Sequence, residues 1–266
     1  MRHMLLLPLA LAILGYSLSE AQSDGEHVHQ SSEHDSGHES AALIVQTEPA
    51  TPRVGVAVEL KLMIHDADGT MVSKFDTVHE KQVHLILVRE GLDEFAHVHP
   101  AVDEQGNLTV IHEFTKAGKY YLFADYKPTG KAASVARAEI VVSGKVSPPP
   151  ALAVNAPGQV VADGLKAQID LQNANAGQEA EIRFRLSDEQ GRPIQDLQPY
   201  LGARGHLVVL SADGEQYVHA HPLDAYEAAN EINFKSHFPG TGLYKGWAQF
   251  QQAGKVRTIP FVLQVP

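Results

Sequence analysis

The chain has 266 residues, 44% of them hydrophobic and 20% charged, which suits a globular protein long enough for two domains of ordinary size. Its formal net charge of -11 offers no basic field to phosphate and excludes nucleic acid as an expected partner. It contains no cysteine, so it has neither disulfides nor thiolate metal sites, while its 15 histidines are an excess that points to metal handling.

Residues 1–21 read as an export signal: Arg2 and His3 open it, an apolar run from Met4 to Leu14 follows, and Ser19-Glu20-Ala21 offers a small-residue cleavage site. The run is too short for a membrane span, so no span is expected after cleavage and the mature protein is expected to be periplasmic or secreted. Residues 22–41 set His27, His29, His34 and His38 among Ser, Asp, Glu and Gly. Such a segment cannot bury a core and is expected to be a disordered tail, either an accessory arm that collects metal or a solvated linker.

From residue 42 the pattern becomes alternation. Val56, Val58, Leu60, Leu62 and Ile64 are apolar at every second position, the period of a half-buried strand, and Asp66-Ala67-Asp68-Gly69 ends it as a turn. Further strands are expected over 82–88, 95–99, 108–114, 120–126 and 135–142, and no stretch holds a helical period over three turns. Short strands at this spacing predict an antiparallel, immunoglobulin-like β-sandwich over residues 42–143. A linker over 144–157 contains three successive prolines, which favour a stiff extended spacer. The pattern then restarts in a second sandwich over 158–266: Ile182 and Phe184 take the places of Leu60 and Leu62, and Phe238, Gly242, Tyr244 and Trp247 those of Phe114, Gly118, Tyr120 and Phe123. The fold class is therefore all-β, two tandem immunoglobulin-like sandwiches made by duplication.

The duplication keeps three histidines in register. VHLILVREGLDEFAHVHP (83–100) aligns without a gap on GHLVVLSADGEQYVHAHP (205–222), matching His84, His97 and His99 with His206, His219 and His221. Each segment reads as a hairpin, with a two-residue type I′ turn expected at Asp213-Gly214 and type II′ at Gly91-Leu92. Those turns set His206 opposite His221 and His84 opposite His99, while the members of each His-X-His share a face. Imidazoles from such positions can converge on one ion at about 2.0 Å per bond, so one three-histidine metal site is expected per repeat. The bland alternative is a set of hydrogen-bonded strand histidines beside an edge proline. Three neutral imidazoles without sulfur suit copper(II) first and zinc(II) next.

Weaker candidates surround this set. Asp125, at nearly the place of Gln249 in the second copy, is a possible accessory ligand or a partner to a histidine. His65 and His79 have no counterpart histidine, and His112 and His237 read as surface residues. Phe95, Tyr120, Tyr217, Tyr244 and Trp247 read as core.

The run from Val83 to Pro100, with AGKYYLFADYKPTG behind it at 117–130, resembles exported bacterial β-sandwich proteins with an HxHP motif, related to YtkA-like envelope domains. That resemblance implies a copper- or heavy-metal-associated role, with metal ions and envelope metal-transport proteins as the expected partners. Three functions are open at this point: metal buffering, delivery or resistance without catalysis; a copper or zinc enzyme with an open coordination position; and an adhesion or assembly module that uses no metal. No nucleophile triad, phosphate loop or paired catalytic carboxylates stand out, so a binding protein is expected ahead of an enzyme.

Overall fold

The computed structural model describes residues 41–155, 158–223 and 228–266, without the side chains of His219 and His221. The expected signal segment and the expected His-rich tail, except its last residue Ala41, lie outside the described residues. Among the described residues the regular structure is entirely strand, and no helix is long and apolar enough to cross a membrane.

The first sandwich contains β1 (Ala42–Glu48), β2 (Ala57–His65), β3 (Val83–Arg89), β4 (Phe95–Val98), β5 (Ala101–Val102), β6 (Leu108–Glu113), β7 (Gly118–Tyr126) and β8 (Ser134–Val142). Its ladder runs β4-β3-β7-β8-β1-β2-β6-β5, with β1 touching β8 in parallel at Ala42 and Arg137. The alternation seen in sequence faces Leu60, Leu62 and Ile64 of β2 into one core with Leu85 and Leu87 of β3 and Tyr120 and Leu122 of β7.

The second sandwich contains β9 (Gln159–Ala162), β10 (Leu165–Gln172), β11 (Glu179–Ser187), β12 (Leu197–Gln198), β13 (His206–Ser211), β14 (Tyr217–Leu223), β15 (Glu231–His237), β16 (Gly242–Gln252) and β17 (Lys255–Val265). It repeats the first: β11, β13, β15, β16 and β17 pair as β2, β3, β6, β7 and β8 do. Both copies keep a tyrosine that folds back on the backbone four residues earlier. Tyr120 donates to the Lys116 carbonyl and Tyr244 to the Gly240 carbonyl, each at 2.9 Å.

The histidine hairpins keep the expected register, with Ile86 opposite His97 and Val208 opposite His219. Two details differ from the sequence expectation. Each loop holds four residues rather than two, closed by Arg89 N–H to Glu94 O (3.1 Å) and Ser211 N–H to Gln216 O (3.0 Å). Strands β4 and β14 also leave β3 and β13 early. The chain crosses to the opposite sheet to begin pairing with β6 or β15, so the ladder ends at Val98 in one copy and at His219 in the other. His221 accordingly sits opposite Lys235 of β15, and not opposite His206 as the turn geometry implied.

The two sandwiches meet face to face. Leu85 and Leu87 enter the first core, and the alternate residues Ile86 and Val88 point the other way, into a third apolar cluster with Tyr121, Phe123, Val208, Leu210 and Trp247. Strand β3 is thus covered on both sides, which is why its sequence reads as a continuous apolar run. The packing has pseudo-two-fold character. Phe95 stacks on Trp247 with ring centroids 4.7 Å apart, and their counterparts Tyr217 and Phe123 meet at 5.4 Å. Phe95, Tyr217 and Trp247, expected in the sandwich cores, therefore belong to the junction, whereas Tyr120 and Tyr244 are core residues. Gly214 packs so closely on the Tyr121 ring that a Cβ there would stand 2.5 Å from it.

The linker is anchored as well as extended: Arg89 Nη2 donates to the Ser147 carbonyl (2.6 Å), and Leu152 packs on the junction cluster.

Candidate metal centre

The face of β3 that carries Ile86 and Val88 also carries His84, so the junction takes a histidine from each sandwich by strand periodicity alone. His84 and His206 are the first residues of that face in β3 and β13, opposite Asp125 and Gln249. His97 comes from β4, and His99 from the crossing segment just after it. Together His84, His97 and His99 place one ring nitrogen each within 4.8 Å of the others. Ring centroids are 5.2 Å apart for His84 and His97, 5.0 Å for His84 and His99, and 4.8 Å for His97 and His99. Imidazoles on one tetrahedral ion, with bonds of about 2.0 Å, have centroids about 5 Å apart.

The hydrogen bonds select which nitrogen each ring presents. A carbonyl only accepts, so His84 Nε2–H donates to Val78 O (3.0 Å) and its Nδ1 carries the lone pair. His97 Nδ1–H donates to Gln249 Oε1 (2.7 Å), whose amide is oriented by a 3.2 Å bond from its Nε2 to Thr258 Oγ1. That leaves His97 Nε2 as a lone pair too, and the two lone-pair nitrogens stand only 3.0 Å apart. Ligand nitrogens on a tetrahedral ion lie about 3.3 Å apart. His99 Nε2 is buried and has no hydrogen-bond partner. A buried orphan nitrogen costs about 1–3 kcal/mol, and a metal ion would offset that cost. Burial pushes the His97 imidazole down to about 3 and the His99 imidazole down to about 4, so both are neutral, the form that binds metal.

The carbonyl that orients His84 is supplied by a tight turn. Val78 and Lys81 bridge each other across His79 (φ 49) and Glu80 (φ 62), both left-handed as a type I′ turn requires. The second repeat builds the same turn from Tyr200 to Ala203, with Leu201 (φ 50) and Gly202 (φ 72) between. There His206 Nε2–H donates to Tyr200 O at 2.9 Å, and burial lowers the His206 imidazole to about 4. His206 lies at the junction with the first-repeat rings, 6.1 Å from His84 and 6.2 Å from His97. His79, a weaker candidate whose counterpart in the second repeat is Leu201, stands closer to it at 5.0 Å.

Asp125 is beside the three-histidine group and not within it. It accepts a hydrogen bond from the Tyr217 hydroxyl (3.3 Å), and burial together with that carboxylate raises the Tyr217 phenol well above its ordinary value. The side chains of His219 and His221 lie outside the described residues, as do His27, His29, His34 and His38. His237 is exposed, while His112 is half-buried with its ring 4.7 Å from Phe114. Gln249 and Val78 are the site residues that sequence missed. The position of Gln249 could be matched to Asp125, but nothing in the sequence said that it would cross to the other repeat.

Residues 39–143 and 159–266 match the model of a family described as a domain of unknown function, DUF8832. The chain belongs to this family. The two matched segments of this DUF8832 protein coincide with the two sandwiches seen in the structure. No curated protein matches the sequence. Among solved structures, a DUF4426 family protein from Pseudomonas aeruginosa is 9% identical, covering 40% of this chain and 94% of its own, with a TM-score of 0.32. The Escherichia coli adhesin FdeC is 13% identical, with 84% of this chain matched to 64% of FdeC at a TM-score of 0.27. Invasin, a bacterial integrin-binding protein, is 11% identical, with 84% of this chain matched to 39% of invasin at 0.23. Likeness at this level has no bearing on function.

Proposed function

We propose that this protein is an exported metal-binding protein, periplasmic or secreted, that holds copper(II), or zinc(II) in its place, at His84, His97 and His99. The reading implies buffering, delivery or resistance, with metal ions and envelope metal-transport proteins as partners. The observation that carries it is the pair of lone-pair nitrogens, His84 Nδ1 and His97 Nε2, facing each other at 3.0 Å while their outer N–H groups are held by Val78 and Gln249. Two such lone pairs repel each other unless a cation lies between them. Anchoring of the outer N–H by a carbonyl or amide oxygen is also how metal-ligating histidines are commonly oriented. Copper(II) is favoured by the order of affinities for nitrogen sites without sulfur. By equivalence, His206, His219 and His221 form the second ligand set.

The test is metal content and affinity for the full chain and for His97→Ala. The wild type is expected to hold at least one ion that His97→Ala loses, with affinity at that site down by a hundredfold or more. Equal metal content in the two proteins would sink the reading.

A second reading, an assembly or adhesion module without metal, is favoured by one observation. The hydrogen bond from His97 Nδ1–H to Gln249 Oε1 links the two sandwiches through protein groups alone. In that case His97→Ala would lower the unfolding midpoint by the same amount with and without added metal. A metal-bound role predicts that added metal raises the midpoint of the wild type only.

A further inference from the structure

The three-histidine group does not use every imidazole at the junction. His79 and His206, from different sandwiches, have ring centroids 5.0 Å apart, the spacing of two rings on one tetrahedral ion. His206 commits Nε2–H to the Tyr200 carbonyl and so turns Nδ1 toward a metal, as His84 does through Val78. His79 is aimed at the junction by the left-handed turn whose preceding carbonyl orients His84. His79, His84, His97, His206 and Asp125 all line one cavity of about 170 Å³, ample for an ion and its water. The Asp125 carboxylate offsets part of the charge that a second cation would bring.

We propose that His79 completes the second repeat's ligand set across the junction, sharing with His206 the ion assigned to His206, His219 and His221, beside the ion held by His84, His97 and His99. The inference rests on the metal-binding reading and deepens it: the two repeats then contribute to one composite centre, and the second ion ties the sandwiches together. It also explains why the turn residue is histidine in the first copy and leucine in the second. Only the first-copy turn needs to supply a ligand to its neighbour.

The test uses the full chain, so that any ions held elsewhere cancel in the comparison. His79→Asn removes the imidazole and keeps a residue that tolerates the left-handed turn. The probes are zinc(II), counted per chain by elemental analysis, and copper(II), followed by electron paramagnetic resonance. His79→Asn and His206→Ala are each expected to hold one ion fewer than wild type, or to bind that ion at least tenfold more weakly. His99→Ala should lose a different ion, so that His79→Asn combined with His99→Ala loses two. Copper-loaded wild type should also show dipolar broadening between neighbouring ions, absent in His79→Asn. The broadening in the wild type is read without any variant. If His79→Asn matches wild type in stoichiometry and affinity while His99→Ala loses an ion, the shared site is wrong and the three-histidine site stands. If neither His99→Ala nor His97→Ala loses an ion, the metal reading itself falls.

Discussion

The two repeats share a scaffold and differ in what they send across the junction. Both build the same turn to fix the first histidine, through Val78 in one and Tyr200 in the other, and both fold a tyrosine back on the same backbone position. The crossing residues have diverged. From the second repeat Gln249 reaches His97 of the first, whereas its counterpart Asp125 accepts from Tyr217. The hairpin loops diverge as well. In the first, Arg89 is buried and paired with Asp93 at 2.8 Å, with Lys116 on the same carboxylate. In the second, Ser211 and Asp213 form a small local bond. Duplicated domains that pack on each other no longer need to be equal, because each is the other's environment, and asymmetry there can create a site that neither copy has alone.

The largest expected effect breaks the junction itself. Trp247→Ala removes the ring stacked on Phe95 and should cost about 3–5 kcal/mol of stability, read by denaturant unfolding with circular dichroism. Two separated unfolding transitions in that variant would show that the junction couples the repeats. Arg89→Ala leaves the Asp93 carboxylate buried beside a half-exposed lysine and should cost about 3 kcal/mol, within the range for breaking a buried pair. The counterpart change Ser211→Ala removes only a short polar link and should cost about 1 kcal/mol. Equal costs would mean that the loops are equivalent after all.

Gln249→Ala frees the His97 ring and should weaken metal affinity by about 10–100-fold without altering the number of ions bound, measured by competition with a chelator. Unchanged affinity would remove Gln249 from the site. The smallest expected effect is in pH. Burial raises the Asp93 carboxyl, but bonds to Lys116 and Arg89 outweigh it and hold the group below the usual carboxylate range. A depressed carboxylate contributes stability above its unfolded value and loses it as pH falls through the folded value. Stability should therefore fall more steeply on acidification in wild type than in Asp93→Asn, in unfolding curves taken across the acid range.

Much of the fold was legible because strand periodicity is a local property. The alternation in Val58 to Ile64 and the turn residues around it placed β2, and the two-copy alignment gave the tandem architecture. Hairpin register followed from loop position, and with it the convergence of His84 and His97. The loop length was misjudged because Asp213-Gly214 also suits a longer loop, in which only Gly214 is left-handed (φ 72). The apolar runs LILV and LVVL are buried on both faces, but the sequence analysis predicted no junction, because nothing in such a run says which surface covers its outer face.

The sequence by itself therefore determined the elements, their duplication and the histidines of the first repeat's hairpin, since all of these depend on neighbours close along the chain. Tertiary structure alone decided that the repeats pack through their histidine faces, that Gln249 and Val78 choose which nitrogens face the centre, and that His79 meets His206. Those contacts join residues whose spacing in sequence obeys no period. They arise because outward-facing apolar side chains on β3 and β13 are buried best against each other, and the histidines on the same faces are carried along.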